Sequence, residues 1–397
     1  MVEGLRKKYN EEFSVEKYKN FIEDLQNVYP GQLDFRVAET PVFVSKKFTE
    51  KMLSACESII DVITAPVYQQ QSANAIPKNL KVPNEDEHSH FICFDFGVCK
   101  NENGELEPQL IEMQGFPSLF AWEVILPEVL AKHFWTPNGH SIYLNGFEKS
   151  SYIELLKKII IEDEDPENVI LLEISPHQQK TRVDFYATED LIGIKTVDLN
   201  EVMKEGKDLF YMNNGRKIQI KRIYNRVIFD DLFQQPAAVR QKGKIFQEDL
   251  DVTWVPHPNW FYKLSKYTLP FIHHPYVPKT YFLNQIELPK DLENYVVKPL
   301  FSFAGQGVII DVTKEQIDAI NDKENWIIQR KVNYASAIET PGDPAKAEIR
   351  IFYFWEPGSE RPVGANNLSR LSKGKMIGVR YNKDKEWVGG SFCLFEQ

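Results

Sequence analysis

A lysine at the end of a short apolar run, followed at once by a loop carrying two glycines, suits the chemistry of a polyphosphate. The run is Tyr295-Val-Val-Lys298-Pro-Leu-Phe-Ser302-Phe-Ala-Gly305-Gln306-Gly307-Val-Ile-Ile-Asp311. Residues 295–297 are β-branched or aromatic, and Pro299 biases Lys298 toward extended backbone, so the lysine is predicted at a strand end. Gly305 and Gly307 let backbone N–H groups approach an anion with no Cβ in the way. Residues 308–310 read as a returning strand. The stretch is not a P-loop, because the Gly-Lys-Ser/Thr ending is absent and no helix pattern follows.

A second charged constellation lies far away in sequence. Residues 91–98 and 106–114 flank Asn103-Gly104, a strong hairpin-turn dipeptide. If Asn103 and Gly104 form a two-residue loop, Glu102 faces Glu105, and the ladder places Asp95 opposite Glu112 with Gln114 on the same face. Two carboxylates about 5 Å apart repel by roughly 3 kcal/mol at an effective dielectric of 20, so the native state must supply a cation or a proton. Oxygen ligands on strands favour magnesium, with manganese acceptable. The alternative reading is an exposed sheet face with both carboxylates in solvent, and Pro108 leaves room for a bulge or an edge position.

The elements that must position these groups follow from periodicity. Helical spacing marks 14–28 and 45–63, then 120–132 and 152–161, with the acidic run 162–167 as a solvated turn. Between 169 and 232 a strand (169–174), a helix (178–191), and strands at 195–199 and 221–224 read as a small α/β unit with a parallel sheet. Proline and aromatic density rises after Trp254, which suggests a linker or domain entry. The remainder, 279–395, is strand-rich, with short helices near 264–271 and 314–321.

With 397 residues, 43% of them hydrophobic, the chain has material for more than one core. Its formal net charge of −10 argues against nonspecific nucleic-acid or anionic-membrane binding, so any phosphate site must be a focused one. Cys56, Cys93, Cys99 and Cys393 lack metal or redox spacing and read as small buried hydrophobes. No signal peptide or membrane span is legible, and a reducing, ATP-containing cytoplasm is the expected setting. His88 and His90 share a strand parity without a third ligand and read as loop residues, while His273 and His274 read as part of a turn.

Taken together, these motifs resemble the ATP-grasp ligases, specifically the circularly permuted kind seen in eukaryotic-type glutathione synthetase and glutathionylspermidine synthase. The order carries the resemblance: the segment with Asp95 and Glu112-Met-Gln114 precedes the lysine strand, whereas unpermuted members place it last. The resemblance implies an α/β ATP-grasp fold with a small Rossmann-like substrate domain, divided as 1–150 (N-terminal helices and the metal-binding hairpin), 151–233 (substrate domain) and 234–397 (nucleotide-binding lobes). It implies ATP and Mg²⁺, or Mn²⁺, as cofactors, with Asp95, Glu112 and Gln114 on the metal. Lys298 resembles the lysine on the α- and β-phosphates, and Lys263 its upstream companion, for which Lys266 could substitute.

Ser302, Gly305, Gln306 and Gly307 are similar to the flap over the β- and γ-phosphates. Gln329, Lys331 and Val332 resemble the adenine hinge. Arg350, beside Glu348, and Arg370 look like the cations along the triphosphate. Tyr224 and Arg226 resemble the substrate-side Tyr-x-Arg, with Ser118 and Arg182 as further substrate residues. Arg182 and Arg226 could instead pair with Asp184 and Asp230.

Two departures stand out: Gln114 where asparagine is usual, and Phe301, Phe303 and Ala304 where smaller residues are usual. The implied activity is ATP-dependent joining of a small carboxylate to an amine through an acyl phosphate, and the N-terminal helices could add a lid or a homodimer surface. The rival classes are a phosphotransferase on the same nucleotide site and a non-catalytic nucleotide-binding regulatory or scaffold protein.

Overall fold

The computed structural model describes residues 1–301, 307–374, 377, 382 and 384–397. Its central element is a five-stranded antiparallel sheet in the order Gly389–Ser391, Val363–Ser372, Lys346–Phe354, Phe91–Lys100, Leu106–Gln114. Two of these strands come from the first third of the chain and three from its end. The strand Phe91–Lys100 is buried on both faces along nearly its whole length, so its sequence is a continuous apolar run rather than an alternation. One face, through Phe94, Phe96, Ile349 and Ile351, packs on the helix Lys46–Thr64, whose Phe48, Met52, Cys56, Ile59 and Ile63 recur at helical spacing.

The hairpin at Asn103-Gly104 reaches the expected pairing by an unexpected route. Asn101 pairs with Glu105 around a three-residue loop, with Gly104 at φ +80°, where a side chain would be strained. That loop alone would shift the register by one. A bulge at Ile111 restores it, and Asp95 lies directly opposite Glu112. The bulged residue also carries a carbonyl that the ladder leaves for another partner.

The small α/β unit forms a parallel sheet in the order Thr253–Val255, Arg222–Asn225, Val169–Glu173, Lys195–Asp198. Its edge strand lies past residue 233, in the stretch read as a linker, because Trp254 and Val255 supply buried apolar side chains to it. A three-stranded meander, Met203–Glu205, Asp208–Asn213 and Arg216–Ile220, fills the crossover and was not legible as strands. The helices Lys149–Ile160 and Arg182–Ile192 cover the parallel sheet. One apolar cluster joins Leu155, Ile159, Val169 and Tyr224 to Phe91, Phe352 and Phe354 of the large sheet, so both sheets are fixed to one core.

A third sheet, Thr280–Phe282, Trp326–Arg330 and Tyr295–Pro299, is antiparallel and holds Lys298 opposite Ile327. The returning strand expected at 308–310 is reduced to a single bridge between Val297 and Ile309. All four cysteines are buried and free. Among the described residues no helix is long and apolar enough to cross a membrane.

Candidate functional site

Cross-strand register assembles a row of charges on one face of the five-stranded sheet. Glu112 faces Asp95, Asp95 faces Arg350, and one step along the ladder Glu348 faces Arg370. Asp95 is 1% exposed, and Arg350 grips it through one guanidinium edge, Nε to Oδ1 at 2.5 Å and Nη2 to Oδ2 at 2.6 Å. Arg370 adds Nη2 to Oδ2 at 2.9 Å and also donates to Glu348 Oε1. Planar bidentate pairing of this kind is the strong form of the ion pair. Burial would lower the Arg350 pKa, but the facing Asp95 carboxylate more than reverses this and raises it.

Glu348 is held on its other oxygen by the Tyr334 hydroxyl at 3.0 Å. Burial outweighs Arg370 and pushes the Glu348 carboxyl above its ordinary range. Tyr334 can reach it because Gly97 lies beneath the ring, where a Cβ would come within 2.8 Å of Tyr334 Cε1. Nothing in the sequence pattern marks Tyr334.

Lys298 enters from the third sheet. It is 8% exposed, and its ammonium donates to Gln329 Oε1 at 2.6 Å and to the carbonyl of Ile111, the bulged residue, at 3.1 Å. Both partners are neutral. Burial brings its pKa down to about 8, with Glu112 acting in the opposite direction. Gln329 is thereby oriented: its Nε2 donates to Thr280 Oγ1, so its amide positions the lysine in place of the expected purine edge. The Lys331 N–H, also expected at the purine, bonds Asn294 O, and its ammonium bonds Glu293 O. Val332 follows directly after the strand Trp326–Arg330 and Lys331.

The two candidate upstream lysines separate. Lys266 lies 3.5 Å from Glu112, whereas Lys263 is held by Glu85 at 2.5 Å and sits 3.9 Å over the Trp260 ring. Asn259 braces the same carboxylate through Glu85 Oε2 at 2.7 Å. The structure therefore places Lys266 in the cluster and Lys263 outside it, a pairing that the distant Glu85 gave no means to foresee. Burial pushes the Glu112 carboxyl up, but Lys266, Lys298, Arg350 and Arg370 together bring it below its ordinary range.

Ser118 links this face to the α/β unit. Its Oγ accepts from Arg350 at 3.2 Å, and its carbonyl accepts from Arg226 at 2.9 Å. Arg226 sits between the Phe116 and Phe185 rings, and among the described residues its buried Nε has no partner. Tyr224 is 1% exposed on the adjacent strand, and burial pushes its hydroxyl pKa up. A narrow recess beside Phe116 and Asn225 opens at the carboxyl ends of the parallel strands, the edge where open α/β sheets take ligands.

Arg182 is not brought to this group. It bonds Gln32, Asp34 and the Gly31 carbonyl, an anchor for the N-terminal helices, and Asp184 instead caps the backbone of Ala121 and Trp122. Ser302, Gly305 and Gln306 lie outside the described residues. Gly307 adopts φ +72° against Pro299.

The magnesium expected at Asp95, Glu112 and Gln114 is not fitted by this arrangement. Both Asp95 oxygens are on guanidinium groups, and among the described residues no three His, Cys, Asp or Glu side chains are grouped to hold a metal.

No protein-family model matches the chain, and no curated protein matches it. Among solved structures, it is similar to a glutathione synthetase-like effector from Globodera pallida in its apo form, with a TM-score of 0.58 and 10% identity. The match covers 97% of this chain and 98% of that one. At that identity the likeness establishes the fold, a glutathione synthetase-like α/β architecture, and leaves the reaction to the site.

Proposed function

We propose that the protein binds the polyphosphate of ATP at the seam between the Lys298 sheet and the five-stranded sheet, and uses it to join a small carboxylate to an amine. The observation that carries this reading is the convergence of Lys266, Lys298, Arg350 and Arg370 around Glu112 in a chain whose net charge is −10. Circular permutation of an ATP-grasp fold accounts for a sheet whose charged hairpin comes from the front of the chain. A small-molecule acid and amine would be held on the side of Ser118 and Arg226, which join this seam to the α/β unit.

In the ligation, a carboxylate oxygen attacks the γ-phosphorus and the bond from that phosphorus to the bridging oxygen of ADP breaks. The amine nitrogen then attacks the acyl carbon, the acyl–oxygen bond breaks, and phosphate leaves with the proton the amine gives up. The four cations would neutralise charge on the transferring group, which is the main source of acceleration in phosphoryl transfer. No side-chain nucleophile is required.

ADP release measured over pools of amino acids and polyamines tests the reading. Release that requires both an acid and an amine supports ligation, while a stable phosphorylated product formed without amine would replace it with a phosphotransferase. One observation favours a second reading, a non-catalytic nucleotide-binding protein. With Asp95 fully engaged by arginine, the site can bind phosphate yet lack a metal to drive its transfer, and tight ATP binding with no turnover under any pool would select that reading.

A further inference from the structure

The seam is built from cations that already hold the carboxylates a divalent ion would need. Asp95 has both oxygens on Arg350 and Arg370. Glu348 has its oxygens on Arg370 and Tyr334. For Asp95 to ligate a metal, Arg350 must be left buried without its partner, and breaking a buried pair is far costlier than breaking an exposed one. Magnesium adds its own reluctance to shed water.

Glu112 and Gln114 remain, but Glu112 stands among four positive groups, so a further divalent charge beside it would be repelled. The most open member of the cluster is a cation: the Arg370 side chain is 38% exposed, compared with 26% for Glu112 and 1% for Asp95, and among the described residues its buried Nε has no partner.

We infer that this cluster recognises a polyphosphate directly, through Arg350, Arg370, Lys266 and Lys298, with no divalent ion between protein and phosphate. The inference rests on the proposed phosphate site and specifies how that site works. A part-exposed guanidinium and a lysine held only by neutral acceptors can turn to phosphate oxygens with little loss. A metal-complexed polyphosphate, carrying two fewer negative charges, would be the poorer ligand.

Titration calorimetry of the full chain with ATP and with inorganic tripolyphosphate, in EDTA and in excess magnesium, tests this. The expected result is binding in EDTA that weakens severalfold when magnesium is added. Arg370→Ala should weaken binding in EDTA by about tenfold or more, the loss of charge-assisted hydrogen bonds. Glu112→Gln, which removes a negative charge and the last anionic candidate ligand, should tighten it severalfold. The Gln variant also serves if Arg370→Ala fails to fold.

Binding that requires magnesium and is lost in Glu112→Gln would overturn the inference while leaving the phosphate site standing. No binding of either probe under either condition would overturn both.

Discussion

Lys263 and Lys298 are both buried lysines, and the structure treats them in opposite ways. Lys263 has a dedicated carboxylate, Glu85, braced by Asn259, and an indole face beneath it. Lys298 has an amide oxygen and a backbone carbonyl, with the carboxylate of Glu112 acting on it only through space. The first is a finished ion pair that fastens residues 82–90 to the segment 257–263. The second is a cation held in place and left under-neutralised, the condition of a group that awaits an anion. Burial of a charge therefore says little about function until its partners are named.

This contrast can be broken in several ways. Lys298→Met should weaken ATP or tripolyphosphate binding by about a hundredfold, since it removes a charge-assisted donor from the centre of the cluster. Titration calorimetry reads this, and an unchanged affinity would put the site elsewhere. Lys263→Met should leave that affinity within about twofold but cost about 1–3 kcal/mol in urea unfolding, because Glu85 loses its partner while remaining partly exposed to solvent.

The pH dependence sharpens the contrast further. Lys298 titrates near 8 in the folded chain and near 10.4 when unfolded, so the unfolded state binds more protons between those values. Stability should rise with pH across that window, by no more than about 1.4 kcal/mol per pH unit, and the Lys298→Met chain should lack this rise. Urea unfolding of both chains from pH 8 to 10.4 checks it. The smallest effect is expected from Tyr334→Phe, about 1 kcal/mol of stability with a severalfold loss of phosphate affinity, as Glu348 loses a donor and competes harder for Arg370.

Much of the frame was legible in the sequence. Helical periodicity located the helices that became Val15–Val28 and Lys46–Thr64, and the residues around Asp95 and Glu112 were read as the two strands of one hairpin. The opposition of Asp95 and Glu112 was read correctly from a turn that is one residue longer than supposed, because two local irregularities cancel.

What sequence spacing could not reveal was partnership. Arg350 and Arg370 were read as phosphate cations with Asp95 as a metal ligand, and no pattern along the chain says that they hold one another. Gln329 was placed at a purine, but its amide is fixed by Lys298 on one side and Thr280 on the other, contacts set by strand register. The meander at 203–220 was missed because its outer strands, Met203–Glu205 and Arg216–Ile220, are short and rich in charged or polar residues, and only Leu209, Tyr211 and Ile220 are buried in it.

The bulge at Ile111 ties together two stretches of the gene that look independent. Loss of Ile111 alone would leave Leu110 facing Phe96 and Glu112 facing Asp95 in a regular ladder, but it would remove the carbonyl oxygen that holds Lys298. A one-residue deletion in the loop 102–104 would shorten the turn and leave the pairings of Lys100 with Leu106 and of Asp95 with Glu112 in place. The extra residue at Ile111, rather than the length of the turn, is therefore the place to ask whether a distant relative has kept the same seam.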